Sequence, residues 1–311
     1  VYVLPCIAGH VGADTAAVIL AEDPMNFDGP LLIVDVGTNA EIILSVDGKL
    51  FAASSPTGPA LEGAQISCGQ RASKGAIERV RIDSETLEPK FKVIGSDLWS
   101  NDPLFDEDIK GFGITGICGS GIVEVLGEMY LAGLIAEDGL LSDVPSGIGI
   151  ETSRVFQEGR TYSYMLHHGS ESSQNRDITI NQSDVRAVQL AKAALRAGVD
   201  LLMERAELTS VKQIRFAGAF GSHIDPLYAM ILGLIPDSPL SDVVSSGNAA
   251  GAGAIIALVS GQARTQIEKQ VLEINKIETA IEPRFQELFV AALAIPHLEA
   301  STTNLASVVR L

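Results

Sequence analysis

The segment LLIVDVGTNAEIILSVDGKLFAA, residues 31–53, constrains this chain most. An apolar run over 31–35 ends in the carboxylate of Asp35 and gives way to Gly37-Thr38-Asn39. A second run, 41–46, is separated from a third, 49–53, only by Asp47-Gly48, a dipeptide suited to the positive-φ positions of a two-residue hairpin. Strand-forming runs joined by such short turns pair with their neighbours. The sequence predicts a three-stranded antiparallel meander.

Around the meander, strand-like and helix-like segments alternate. The helical period is clearest over 120–134, where Ile122, Val125, Leu126 and Met129 share a face, and in the long helix that begins near Ser183. There Val188, Ala191, Leu195, Val199, Leu202 and Ala206 form the apolar stripe, with Ser183 as N-cap and Asp184 at the positive end of the dipole. Further helices are expected over 12–22, 225–232, 248–259 and 283–292. A strand or an extended segment is expected over 1–4, and strands over 76–82, 91–94, 161–166, 177–180, 211–216, 242–245 and 271–278. This alternation argues for an α/β fold, a mixed sheet with helices on both faces. The Gly/Ser-rich stretch 138–176 reads as an insert.

Charge narrows the function. Lys and Arg total 22 against 39 Asp and Glu, a net charge of −17, which repels nucleic-acid backbones and anionic membranes. No apolar run approaches the roughly 18 residues that span a bilayer. Cys6, Cys68 and Cys118 are too scattered for a disulfide framework or a C-x₂-C metal site. A reducing, cytoplasmic setting is expected.

Four glycine-bearing segments carry the candidate chemistry. After Asp35, the amides of Gly37, Thr38 and Asn39 would suit an anion, and the carboxylate would suit Mg²⁺ held through water. Read alone, the same residues also fit a plain hairpin with a polar turn. GITGICGSG, residues 113–121, places Gly119, Ser120 and Gly121 at a helix start, where ligand binding is the reading for the glycines and burial that for Cys118. AGAFG, residues 217–221, follows a strand and leaves space at Gly218, Ala219 and Gly221 for a flat or phosphorylated ligand. GNAAGAGA, residues 247–254, suits close helix approach at a hinge. His167 and His168 are adjacent, so on a strand they face opposite ways and make no shared metal site.

The order of these segments is more specific than any one of them. DVGTNAE, PTGPALEGAQISCGQRASKGAIE, GICGSGIVEVLGEMYLAGLI, FAGAFGSHIDPLYAMILGLIP and GNAAGAGA together resemble the C-terminal region of the reductive activators of corrinoid proteins. Those are ferredoxin-containing, ATP-dependent activases of the acetate/sugar kinase, heat-shock chaperone and actin superfamily. The resemblance implies an RNase H-like, actin-like ATPase lobe over 31–261, with the insert at 138–176. It also implies a connecting segment, 1–30, from an upstream lobe, and a strand and helix tail over 262–311.

By that resemblance Asp35, Gly37, Thr38 and Asn39 form a phosphate hairpin, with Asp35 catalytic and holding Mg through water. Gly119, Ser120 and Gly121 line the nucleotide side of the following helix, and Gly218, Ala219 and Gly221 form the adenosine turn. Residues 11–22 and 248–259 are connecting helices between lobes. ATP or ADP and Mg are the implied cofactors. The implied partners are a corrinoid protein, an upstream [2Fe–2S] ferredoxin domain, a first ATPase lobe of the same polypeptide and a second copy in a homodimer.

A single D-x-G-T hairpin is present, and the C-x₄-C-x₂-C pattern of a plant-type ferredoxin is not. The chain therefore reads as the C-terminal part of a longer polypeptide that binds nucleotide weakly alone. The implied task is the return of Co(II) corrinoid proteins to Co(I). The alternatives are a small-molecule kinase of the same superfamily and a non-enzymatic, nucleotide-gated binding module of the actin or chaperone kind.

Overall fold

The meander is the centre of the molecule. In the computed structural model, which describes residues 1–143, 152–170 and 176–309, β1 (Leu31–Val36), β2 (Ala40–Val46) and β3 (Lys49–Ser55) pair antiparallel in sequence order. β10 (Gln213–Ala217) adds in parallel beside β1, and β11 (Val243–Gly247) beside β10. β12 (Asn275–Ile277) closes the far side on β3, giving the order β11-β10-β1-β2-β3-β12.

Period-two alternation divides the strands between two cores. Leu32, Val34 and Val36 face one core, packed with Val123 of α3 (Gly119–Leu131) and Leu195 of α4 (Gln182–Arg205). Leu31 and Ile33 face the other, with Val18 of α1 (Ala13–Glu22), Ala249 of α7 (Ala249–Val259) and Ile267 of α8 (Gly261–Glu273). Helices cover both faces, as the α/β reading requires.

Two smaller sheets flank this body. β4 (Ala76–Ile82) lies between β5 (Pro89–Val93) and the short β6 (Gly116–Ile117); α2 (Phe105–Asp108) stands between β5 and β6 in the chain. The insert contributes β7 (Val155–Glu158), β8 (Thr161–His167) and β9 (Ile178–Asn181), while residues 144–151 and 171–175 of it lie outside the described residues. The remaining helices are α5 (Gly218–Gly221), α6 (Pro226–Ile231), α9 (Pro283–Ala291) and α10 (Thr303–Ala306).

β6 pairs with β4 only at Ala76 and Ile77, so the rest of that edge lacks a strand among the described residues. Two buried glutamates of α3 take its place. Glu124 Oε2 accepts the Val80 amide at 2.9 Å and Glu128 Oε2 accepts that of Ile82 at 2.7 Å. Arg79 and Arg81 each reach Glu124 at 2.6 Å, and the Tyr228 hydroxyl donates to Glu128. A helix thus satisfies strand amides that burial would otherwise leave unpaired.

Several local expectations need correction. The cap of α4 is Asn181 rather than Ser183: its side chain accepts the Ser183 and Asp184 amides, and Asp184 returns the bond to the Asn181 amide in a capping box. The expected strand 271–278 is helix as far as Glu273, because Ala263, Ile267 and Val271 recur every four residues and bury one stripe. β7 was not foreseen; its polar 157–160 stretch hides the hairpin.

The small-residue segment does bring two helices together. A Cβ placed on Gly253 of α7 would lie 1.8 Å from the backbone oxygen of Ala17 in α1. The opposite side of α7 leaves Ile255, Leu258 and Val259 exposed. Gly253→Ala should force the helices apart and lower unfolding stability by about 1–3 kcal/mol, measured by urea denaturation. A variant as stable as wild type would show that the α1–α7 contact yields easily.

Candidate functional site

The parallel pairing of β1 with β10 sets Asp35 opposite Ala217. Both strands therefore release their glycine turns at the same end of the sheet, where α/β proteins keep ligand crevices. Gly218 has φ +84°, and a Cβ on it would fall 2.3 Å from Asp35 Oδ1. Only glycine lets the second turn lie against the carboxylate of the first. Segments far apart in the chain meet here.

Within the first turn the Gly37 amide is already used, donating to the Asn39 carbonyl at 3.0 Å. The amides of Thr38 and Asn39 have no protein partner among the described residues, so they are the donors available to an anion. The Thr38 hydroxyl donates to Glu62 Oε1 at 2.8 Å, and the Thr57 hydroxyl approaches the Gly37 and Thr38 carbonyls at 2.9 and 3.0 Å.

Three carboxylates surround the start of this turn. Glu41 stands directly across from Asp35 on β2, and Asp14 opens α1. Burial, then the charge of Asp14, raises the pKa of Asp35 above the ordinary carboxylate range. Burial, then Asp14 and Asp35, pushes Glu41 up to about 7, against opposing hydrogen bonds from the Ser54 hydroxyl and a backbone amide. No ammonium or guanidinium is paired with Asp35 among the described residues. The site holds uncompensated negative potential. A cation would relieve it, although no group of three or more His, Cys, Asp or Glu among the described residues is placed to ligate a metal directly.

The raised Glu41 value has a signed consequence. The folded state keeps the Glu41 proton where the unfolded chain has lost it, so stability is greatest below about pH 4.5 and falls as pH rises towards 7. After allowance for solvent screening the loss is on the order of 1 kcal/mol. Glu41→Gln should remove it, stabilising the protein at pH 8 and leaving it little changed at pH 4.5. Equal pH profiles for the two proteins would contradict the burial argument.

The glycines of α3 are placed differently from the sequence expectation. A Cβ on Gly119 would meet the Leu61 carbonyl at 2.1 Å and the Phe220 ring at 2.3 Å; one on Gly121 would meet the Ile77 carbonyl at 2.4 Å. Gly119, Ser120 and Gly121 are all buried, and the space beside the two glycines is filled by protein. Gly221 likewise packs on Phe216, with a Cβ 3.3 Å from the Phe216 Cβ. Of the residues expected at the site, Asp35, Gly37, Thr38, Asn39 and Gly218 converge, and Ala219 follows in the same turn. Cys118 is buried with its thiol 3.3 Å from the Ile77 carbonyl.

Asp14, Glu41, Thr57 and Glu62 were not foreseen. Only Glu41 left a signal, an acidic residue near the start of an otherwise apolar strand. A cleft of about 330 Å³ opens beside Asn39 and Ser54, towards His10 and Thr279. A larger cavity of about 440 Å³ lies away from both turns, and its Arg196 and Arg284 are already paired with Asp200 and Glu204.

Known proteins resemble this chain in sequence and in fold. The corrinoid activation enzyme RamQ of Eubacterium limosum is 34% identical over 292 residues, 92% of this chain and 46% of that protein. A [Co(II) methylated amine-specific corrinoid protein] reductase of Methanosarcina barkeri is 29% identical over 245 residues, 76% of this chain and 40% of its own length. The solved structure of a reductive activator for corrinoid, iron-sulfur protein superposes with a TM-score of 0.81 at 30% identity, covering 96% of this chain and 45% of that one. The chain thus spans about half the length of these relatives. No helix among the described residues is long and apolar enough to cross a membrane. The family model for the C-terminal domain of RACo, the ASKHA domain, matches residues 29–306, and this chain belongs to that family.

Proposed function

We propose that this chain is the nucleotide-binding module of an ATP-dependent reductive activator, which returns corrinoid proteins from Co(II) to Co(I). The observation that carries the reading is the convergence of the Asp35 turn and the Gly218 turn in one crevice, within a chain of this family. The Thr38 and Asn39 amides bind phosphate oxygens, and the bare backbone at Gly218 admits the nucleotide beside them. Asp35, backed by Asp14 and Glu41, would hold Mg through water, and the ion would supply charge neutralisation at the phosphates. A cation arriving with the nucleotide would relieve the mutual repulsion of these carboxylates, whereas the phosphates alone would add to it.

The exposed apolar side of α7 supports a two-lobed protein, since a helix apolar nearly all round is ordinarily covered. We place the first ATPase lobe there, with α1 and α7 as the connecting helices. In this reading a [2Fe–2S] domain elsewhere in the polypeptide would supply low-potential electron transfer, and the present chain would supply nucleotide binding. ATP hydrolysis to ADP and phosphate supplies the driving force by changing the conformation around the cobalt. A homodimer and a cytoplasmic location belong to the same reading.

The test uses the full-length polypeptide with reductant and its corrinoid partner, followed by cobalt absorbance. With ATP the Co(II) bands should give way to those of Co(I); without ATP they should persist. Equal reduction in both conditions would leave a passive binding module as the better description.

A further inference from the structure

We infer that Thr57 is the positioning residue of the phosphate-binding turn, orienting both of its free amide donors through one hydroxyl. This rests on the nucleotide reading above and identifies a residue that touches no ligand itself. Thr57 follows β3 in SSPTGP, where Pro56 and Pro59 restrict the backbone on either side. It is only 5% exposed, and its amide donates to the Ser55 carbonyl at 3.0 Å. Its hydroxyl stands 2.9 Å from the Gly37 carbonyl and 3.0 Å from that of Thr38. A hydroxyl has one proton, so the two carbonyls share it in a three-centre bond.

The consequence follows from peptide geometry. In a trans peptide the carbonyl of one residue and the amide of the next point in opposite directions. With the Gly37 carbonyl drawn towards Thr57, the Thr38 amide faces away from it. With the Thr38 carbonyl drawn the same way, the Asn39 amide also faces away. These are the two turn amides without a protein partner. The remaining amide, of Gly37, is held inside the turn by the Asn39 carbonyl at 3.0 Å. One buried side chain therefore presets two adjacent peptide planes in the orientation an anion needs, before any ligand arrives.

Losing that hydroxyl frees both planes to rotate, and the cost falls on whatever part of the ligand those amides hold. In the full-length polypeptide, Thr57→Val should raise the Kd for ATP and ADP about tenfold, the scale of one charge-assisted hydrogen bond. Affinity for adenosine, which has no phosphate, should stay unchanged. Thr57→Ser should restore ATP binding, and Thr57→Ala should match the valine variant.

Calorimetry gives the affinities, and the urea midpoint reports on folding. An ATP affinity within twofold of wild type in the valine and alanine variants would overturn the inference. So would an equal loss for adenosine accompanied by a lowered midpoint, which marks general loosening. Wild-type protein that binds neither ATP nor ADP would overturn the nucleotide reading itself, and this inference with it.

Discussion

Full-length polypeptide carrying Asp35→Ala should lose ATP turnover by roughly two to three orders of magnitude, the scale on which charge-stabilising groups act at phosphoryl-transfer sites. Asp35 is the penultimate residue of β1, stands against Gly218 and has no basic partner among the described residues. Its ionised form is disfavoured by burial and by Asp14, so the native protein retains the carboxylate at a cost to stability. The alanine variant should therefore melt no lower than wild type while losing activity. Asp35→Asn, which keeps the shape beside Gly218, should be equally inactive. Steady-state phosphate release at saturating Mg²⁺ provides the measurement. Near-normal turnover in the asparagine variant would remove Asp35 from the proposed chemistry.

The largest stability effect is expected at Glu124. Its side chain is 0% exposed, and it accepts bonds from Arg79, Arg81 and the Val80 amide. Glu124→Ala leaves two half-buried guanidiniums and a strand amide without their acceptor, a change worth about 3–5 kcal/mol. Glu124→Gln keeps an acceptor for the amide and loses only charge, so it should fall between alanine and wild type. Urea denaturation resolves the order. An alanine variant within 1 kcal/mol of wild type, by the same denaturation scale, would mean that water or another side chain closes the β4 edge.

Stability and ligand binding are separable in this architecture because different elements carry them. Glu124 and Glu128 fasten α3 to β4 on one side of the main sheet. Asp14, Asp35 and Glu41 collect at the other, where α1 meets the ends of β1 and β2. Loss of the first group should unfold the protein without altering nucleotide preference. Loss of the second should do the reverse.

Much of the fold was legible because its determinants are local. Turn residues at 37–39 and 47–48 bound the meander, and the apolar stripes of α3 and α4 recur at the helical period. Asp35, Gly37, Thr38 and Asn39 declared themselves by a carboxylate and a turn at the end of an apolar strand. The cap at Asn181 was displaced by two residues because Asn181, Ser183 and Asp184 are all good capping types, and only backbone geometry selects among them. The end of the 261–273 helix read as strand because Val271, Ile274 and Ile277 are β-branched and closely spaced there.

Tertiary structure decided what each glycine packs against. At a helix start, Gly119 and Gly121 look in sequence like Gly218: each marks a place where no side chain fits. The physical requirement is the same, close approach of another group, but the group differs. At Gly218 it is the Asp35 carboxylate, at Gly119 the Leu61 carbonyl and the Phe220 ring, and at Gly121 the Ile77 carbonyl. The local pattern records the close approach and not its partner, because the partner comes from a distant part of the chain. The same holds for Thr57 and Glu41, whose roles follow from the register of β1, β2 and β3 rather than from their neighbours in sequence. The sequence alone determined the meander, the long helices α3 and α4 and the Asp35 turn; packing alone determined what surrounds that turn.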